Sequence, residues 1–200
     1  MGRCKSPLYH GPPCGKIRDA MRPPLDEMVV RTPELDRGRY PNLVHLQYPF
    51  GGTMGQDVRQ TVDKKTGKTK GKFHAGWDLY AEPKTEAFAI TDGTVIVVTA
   101  MHGYGNVALL EFEFEQKTLY ALYAHLTKVL VDEGTDVSEG DSIALTGTSG
   151  NAKGGPPHLH FEIWTKRHVS TYPDGRISPG EVIGYIFDNM DNRLPLRDVG

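Results

Sequence analysis

The sequence predicts an all-β-dominated fold, with an antiparallel β-sheet core and an irregular N-terminal extension. Its 23 glycines and 14 prolines among 200 residues favour many turns between short strands over long helices. Short runs of β-branched and aromatic residues, separated by Gly, Asp and Asn, recur from residue 87 onward. With 38% hydrophobic residues, a chain of this length can bury the core of one domain.

The first 45 residues differ in composition from the rest of the chain. Prolines interrupt every candidate helix in this stretch, at Pro12, Pro13, Pro23, Pro24, Pro33 and Pro41. We therefore predict an extension at residues 1–45 and a folded domain at residues 46–200 with a short C-terminal tail. Because the extension cannot form a core alone, it either wraps on the domain or serves as a handle for delivery or partner binding. A chain beginning near Leu46 is expected to fold.

Charge and cysteine content restrict the partners and the compartment. The formal net charge is −2 and the Lys and Arg residues are scattered, so neither nucleic acid nor a membrane is a predicted partner. No apolar run is long enough to cross a bilayer, and Met1–Ser6 lacks the apolar stretch of a secretory signal. Cys4 and Cys14 would close a short disulfide loop in an oxidising compartment, and two free thiols are an equally good interpretation.

The sequence of the domain predicts a polar hairpin tip at Asp63–Lys70. Five strands should follow it, at Ala87–Ile90, Gly93–Ala100, Val107–Phe114, Thr118–Leu126 and Ser142–Thr146. In the third of these strands, Leu110, Phe112 and Phe114 alternate onto one face. A turn at Glu115–Lys117 then returns the chain. These two strands should form an antiparallel hairpin that ends at His125.

A run of alternating residues near position 160 carries the strongest chemical signal. A β-strand sends alternate side chains to opposite faces, so His158, His160 and Glu162 should share one face while Leu159 and Phe161 face the core. Two imidazoles on one strand face can serve one zinc site. The alternative is a pair of exposed surface histidines. Glu162 would then be a supporting or solvent-facing carboxylate, or a catalytic one.

A second signal is the pair His74 and Asp78, which flanks Gly76. In an extended or kinked segment, this even spacing puts both side chains on one side. A helical ion pair is the usual alternative for this spacing, but Gly76 and the surrounding aromatic residues disfavour a helix. Two imidazoles and one carboxylate would leave one zinc position for water, which is typical of a catalytic rather than a structural site. The predicted chemistry is hydrolysis.

These segments resemble the lysostaphin or LytM-like zinc metallopeptidases. The family pattern is an H-x-x-x-D segment, a later histidine in a Y-x-H-L context and a closing H-x-H. Here it falls on His74 to Asp78, on His125 and on His158 to His160, within a resemblance that runs from about Phe50 to Ile163. The resemblance implies a peptidoglycan endopeptidase with one Zn²⁺ per chain. It assigns His74, Asp78 and His160 as metal ligands.

The same resemblance assigns His125 and His158 as the catalytic histidines, which would orient the attacking water and stabilise the oxyanion. Relatives that only activate other wall enzymes lose some of these five positions, whereas all five are present here. The loop Asn151–Pro157 is longer than is common in the family and should alter the groove wall. His102 and Tyr104 are candidates for the groove edge, while His10, His45 and His168 are expected to be surface residues.

The predicted function is therefore hydrolysis of the peptide stems of peptidoglycan at the cell wall, in the periplasm or outside the cell. Without an evident signal, a non-classical route is expected, such as injection as an antibacterial effector, and a producer would then need an inhibitor (immunity) protein. The alternatives are a non-catalytic wall-binding or enzyme-activating module on the same fold, a phage lysis enzyme, or a small cytosolic zinc hydrolase acting on another amide.

Overall fold

The computed structural model of the protein describes residues 21–40, 57–62, 65–67, 69–168 and 175–185. Strands dominate these residues, and the helices are short. In chain order the elements are α1 (Pro33–Arg39), β1 (Asp57–Val62), β2 (Thr69–Phe73), β3 (Trp77–Tyr80), β4 (Glu86–Phe88), β5 (Gly93–Met101), β6 (Gly105–Phe114), β7 (Lys117–Leu126), β8 (Lys128–Val129), β9 (Thr135–Val137), β10 (Ser142–Leu145), a 3₁₀ turn (Gly150–Ala152), β11 (His158–Trp164), β12 (Arg176–Ile177) and α2 (Pro179–Ile183).

The strands form one large antiparallel sheet and two small ones. In the large sheet the order is β12-β11-β7-β6-β5-β9, and β3 pairs with the first half of β11. The small sheets are β4-β10-β8 and the hairpin β1-β2. This architecture confirms the predicted fold class. The five predicted strands correspond to β4, β5, β6, β7 and β10, with ends that differ by at most two residues.

The hairpin β6-β7 forms the centre of the sheet, and its turn follows the prediction. Phe114 pairs with Lys117, so the connection is Glu115 and Gln116 alone. Both of these residues have positive φ, 50° and 61°, as a two-residue hairpin of type I′ requires. Leu110 and Phe112 are buried in the main core, as the alternation predicted. The opposite face of the hairpin is also covered, by a second cluster of Val107, Leu109, Leu122, Ala124 and Trp164.

Residues 21–40 pack against the β-domain. The Leu25 side chain is only 2% exposed and belongs to the main core. Val30 forms an antiparallel bridge with Leu79, and the Tyr80 amide donates to the Val29 carbonyl at 2.8 Å. This stretch therefore continues the sheet beyond the outer edge of β3. Of the two interpretations of the extension, wrapping describes these residues, while the boundary at residue 46 stays a prediction.

Helix α1 corrects one detail of the sequence analysis, because Pro33 begins a helix instead of interrupting one. Proline is tolerated in the first helical turn, where its missing N–H would have no intrahelical partner. The preceding residue, Thr32, caps the helix by accepting a hydrogen bond from the Leu35 amide at 3.2 Å. The predictions for Cys4, Cys14, His10 and His45 concern positions outside the described residues.

In the described part of the chain, no helix has the length and apolar character needed to cross a bilayer.

Candidate metal centre and active site

Pairing between β3 and β11 brings the three predicted metal ligands together. Asp78 lies directly opposite His160 in this pairing. Oδ1 of Asp78 is 2.7 Å from Nδ1 of His160 and 3.1 Å from Nε2 of His74, and those two nitrogens are 3.3 Å apart. All three side chains are buried. Two imidazole nitrogens and one carboxylate oxygen thus converge on one point.

Gly76 permits this convergence by its lack of a side chain. A Cβ atom at this position would lie 2.1 Å from the Phe161 carbonyl oxygen, far inside van der Waals contact. The segment between His74 and β3 can therefore run directly against β11. On β11, Leu159 and Phe161 are fully buried in the main core while the histidines turn toward Asp78, which confirms the predicted alternation.

The converging atoms fit a zinc ion. Two imidazoles and a carboxylate are a donor set found in catalytic zinc sites, and the three ligand atoms all lie within 4.8 Å of one another. Burial by itself would raise the pKa of Asp78, but the imidazoles of His74 and His158, with hydrogen bonds from His160 and His74, hold it well below its usual value. The ligand set therefore includes a carboxylate that stays ionised.

The contacts of His160 favour its positively charged form, because a carboxylate oxygen lies beside each ring nitrogen. Burial alone would lower its pKa, but hydrogen bonds to Asp78 and Glu162 raise it to about 9. Metal ligands must be deprotonated. Loading of a metal at this site is therefore coupled to loss of the His160 proton.

His125 and His158 are anchored in the same way as each other. Nδ1 of His125 lies 2.9 Å from the Ser149 carbonyl oxygen, and Nδ1 of His158 lies 2.8 Å from the Pro156 carbonyl oxygen. A carbonyl only accepts hydrogen bonds, so each Nδ1 must carry the proton, which leaves Nε2 as an acceptor. The rings contact edge to face with centroids 4.9 Å apart, and Nε2 of His158 is 3.7 Å from Oδ1 of Asp78.

Both anchored histidines are neutral near pH 7. Burial is the main cause for each: it lowers the pKa of His125 to about 3, helped by the neighbouring His158 and His160, and it lowers the pKa of His158 to about 4 against the opposing charge of Asp78. An uncharged ring with a free Nε2 can hold a proton of a water molecule. It can donate to an oxyanion only after accepting that proton.

The backbone of His125 adopts a conformation that costs energy. Its φ is +60°, in the left-handed region that non-glycine residues seldom occupy, at a cost of about 1–3 kcal/mol. The surrounding chain holds it there: the His125 amide donates to the Tyr104 carbonyl at 2.8 Å, and its own carbonyl accepts from the Ser149 amide at 3.3 Å. Such local strain concentrates at functional sites.

Glu162 supports His160 from the far side of the ring. Its side chain is fully buried, and Oε1 lies 2.8 Å from Nε2 of His160 and 2.7 Å from the Tyr104 hydroxyl. Oε2 accepts from Arg176 Nε at 2.6 Å and from the indole N–H of Trp164. Burial alone would raise the pKa of Glu162, but His160, Arg176 and Trp164 lower it to about 2. The solvent-facing interpretation of Glu162 is therefore wrong, and its contact with His160 favours a supporting carboxylate.

The structure separates the other predicted residues into one that contacts the site and two that are exposed. Tyr104 contributes to the support of Glu162, whereas His102 and His168 are exposed. Sequence reasoning missed Arg176, although Arg176 pairs with Trp164 across β11 and β12 and its guanidinium is almost completely buried. The only available signal was the position of Glu162 on the histidine face, since a buried carboxylate there requires a cationic or hydrogen-bonding partner.

Comparison with known proteins identifies relatives of this chain. Two curated relatives are the peptidoglycan DD-endopeptidase ShyB of Vibrio cholerae, 39% identical over 90 residues, and the murein hydrolase activator EnvC of Escherichia coli, 40% identical over 88 residues. These alignments cover 45% and 44% of this chain, and the chain spans about a fifth of the length of each relative, 20% in both cases.

The fold is that of the catalytic domain of the antimicrobial peptidase lysostaphin from Staphylococcus simulans. The TM-score is 0.53 at 24% identity, covering 69% of this chain and 93% of the lysostaphin domain. The family model of peptidase family M23 matches residues 72–173, just over half of the chain. That match includes all five histidine and aspartate positions of the site, and the chain belongs to peptidase family M23.

Proposed function

We propose that the chain is a zinc-dependent endopeptidase that hydrolyses peptide crosslinks of bacterial peptidoglycan. The observation that carries the proposal is the convergence of His74, Asp78 and His160 beside two neutral histidines whose Nδ1 atoms are anchored on backbone carbonyls. A closed structural site would not need two such histidines. The similarity to ShyB, which is named a peptidoglycan DD-endopeptidase, supports this substrate class.

Each residue of the site would have a distinct role. His74, Asp78 and His160 would hold the zinc, which when bound would polarise the scissile carbonyl and make water a stronger nucleophile. His125 or His158 would accept a proton of the attacking water at its Nε2 as the new C–O bond forms. The resulting imidazolium would hydrogen-bond to the oxyanion on the former carbonyl and then give its proton to the amine nitrogen as the C–N bond breaks. Their fixed Nδ1 contacts orient both rings before substrate arrives.

A second candidate function is activation of another murein hydrolase without catalysis. The similarity to EnvC supports this alternative, because that relative is named a murein hydrolase activator. An activator needs a binding surface but has no need of a strained His125 or of a proton acceptor beside the metal ligands. The intact set of five residues therefore favours the enzyme.

Purified sacculi separate these functions. The zinc-loaded protein alone should release soluble peptide fragments, and His160→Ala should lose both most of its zinc and this release. An activator would release nothing alone but would increase release by an added murein hydrolase. A zinc hydrolase of another amide would release no fragments from sacculi alone and would not increase release by an added murein hydrolase. Retention of all zinc by His160→Ala would remove His160 from the ligand set.

The site of action that fits this substrate is the cell wall. We further propose an antibacterial effector role, with an inhibitor protein in the producing cell, and expression in a test bacterium examines it. A version directed to the periplasm should cause lysis, and a version kept in the cytoplasm should not, because only the periplasm contains the wall. Equal growth of both strains would contradict an effector role.

A further inference from the structure

Arg31 is a buried cation that the assigned site does not use. It lies in the stretch that pairs along the outer edge of β3, and its amide donates to the Asp78 carbonyl at 2.9 Å. The residue is only 3% exposed. Burial of a guanidinium is costly unless it is paired, so its partners decide what it does.

Two carboxylates lie close to the Arg31 guanidinium. Its Nε lies 3.0 Å from both oxygens of Asp36, and Nη2 lies 2.9 Å from Asp36 Oδ2. Nη1 lies 3.7 Å from Oδ2 of Asp78. The two oxygens of Asp78 therefore face different partners: Oδ1 faces the histidine ligands and Oδ2 faces Arg31.

Asp36 prevents Arg31 from opposing the metal. A lone guanidinium beside a divalent cation would repel it, but the pair of Asp36 and Arg31 has no net charge. The Tyr80 hydroxyl donates to Oδ1 of Asp36, which ties helix α1 to the strand that carries Asp78. The guanidinium of Arg31 therefore faces Asp78 Oδ2, while its pairing with Asp36 cancels its net charge.

We propose that Arg31 is a positioning residue that holds Asp78 with Oδ1 directed at the metal site. This inference rests on the proposed zinc site. Attraction between the guanidinium and Oδ2 opposes rotation of the carboxylate and binding through both oxygens, so it favours one ligand geometry before the metal enters. Partners of this kind, one contact removed from the metal, typically change metal affinity by 10- to 100-fold when they are removed.

Zinc affinity of the full chain, measured by competition with a chromogenic chelator at a temperature where every variant is folded, tests the role. Arg31→Gln should bind zinc about 10- to 100-fold more weakly. Arg31→Lys keeps the positive charge but loses the planar set of guanidinium N–H donors, so it should recover part of that affinity. The matched control is Arg22→Gln, because Arg22 lies in the same stretch but contacts Asp26 and the Phe88 ring instead. Its affinity should equal that of the wild type.

A purely structural role of Arg31 would lower stability without acting through Asp78. Thermal unfolding of Arg31→Gln without zinc separates the two roles, because a purely structural role lowers the melting temperature but leaves the zinc affinity of the folded protein unchanged. If Arg31→Gln does not fold, Asp36→Asn tests the same arrangement, because it leaves the Arg31 guanidinium unneutralised beside the site and should also weaken zinc binding. Wild-type affinity in Arg31→Gln, or an equal loss in Arg22→Gln, would overturn the inference.

Different results would refute the zinc site and the role of Arg31. Retention of zinc by His160→Ala, or no zinc binding by the wild type, would refute the site itself and the inference with it. Normal loss of zinc in His160→Ala together with unchanged affinity in Arg31→Gln would refute only the role of Arg31.

Discussion

Nε2 of His160 lies 2.8 Å from Oε1 of Glu162, while Nδ1 of the same ring lies 2.7 Å from Asp78. The imidazole is therefore held between two buried carboxylates. A carboxylate on the far nitrogen of a metal-binding histidine fixes the ring orientation and raises its basicity. The contact leaves Nδ1 as the atom that faces the metal site.

Glu162→Gln should weaken zinc binding by about tenfold, because a neutral amide fixes the ring but does not raise its basicity. The change also leaves the Arg176 guanidinium without its carboxylate, so the melting temperature should fall as well. Chelator competition below the melting transition measures the metal effect separately. The matched control is Glu139→Gln, an exposed position far from the ring. Equal zinc affinity in the two variants would exclude a role for Glu162 in metal binding.

His125→Ala and His158→Ala should separate metal binding from catalysis. Both variants should keep zinc but lose at least about a hundredfold in turnover on sacculi, the usual scale for one positioned acid or base. The reason is that each Nδ1 is committed to a backbone carbonyl and each Nε2 is free for a proton. Zinc content and fragment release are the two measurements. Near-normal turnover in either variant would mean that its ring only lines the cleft.

The local sequence pattern was sufficient to predict the strands and some of the site residues. Alternation in His158-Leu159-His160 predicted the two faces of β11, since neighbouring side chains on a strand must point in opposite directions. Turn residues and alternation likewise located the β6-β7 hairpin. The resemblance added His125, whose chemical context on the chain is not distinctive by itself. Together these named the three side chains that converge on one point and the two histidines in contact beside them.

The supporting residues could not be predicted, because their partners lie far along the chain. Arg31 meets Asp78 only when residues 29–31 pair along the edge of β3, and a Pro-rich sequence gives no sign of that pairing. Arg176 meets Glu162 only through the short strand β12. Hydrophobic periodicity does not report such contacts, since both residues are charged and would be assigned to the surface by residue type.

Gly76→Ala should disrupt the ligand geometry through packing alone. The new Cβ would meet the Phe161 carbonyl oxygen at 2.1 Å, and a backbone atom of a buried strand cannot move aside cheaply. We expect a loss of about 3 kcal/mol of stability and a melting temperature lower by roughly 10 °C. Zinc affinity should fall too, because β3 would be pushed away from His160.

The control for this variant is Gly38→Ala in helix α1. A Cβ at Gly38 meets nothing within 4 Å, and alanine is the better helix former, so the melting temperature should stay the same or rise slightly. Thermal unfolding of the two variants isolates the steric effect from the change of residue type. An unchanged melting temperature in Gly76→Ala would show that β3 and β11 can separate without cost.

Truncation tests the boundary of the domain. The composition of residues 1–45 predicts that a chain beginning near Leu46 folds and keeps its activity, because every proposed ligand lies downstream. The contacts predict a cost, since this truncation removes the buried side chain of Leu25, whose burial is worth about 1.5–3 kcal/mol. It also removes the bridge between Val30 and Leu79 and so exposes the outer edge of β3.

A chain beginning at Met21 is the matched control, because it keeps all of these contacts. Relative to it, the chain beginning at Leu46 should melt about 6 °C lower or more, given about 2 kcal/mol lost from Leu25 alone. It should also bind zinc more weakly, because Arg31 no longer anchors Asp78. Calorimetry and chelator competition on the two chains measure these effects independently. Equal melting temperatures and zinc affinities would place the boundary at residue 46, with residues 21–40 as a dispensable covering of a domain that is complete without them.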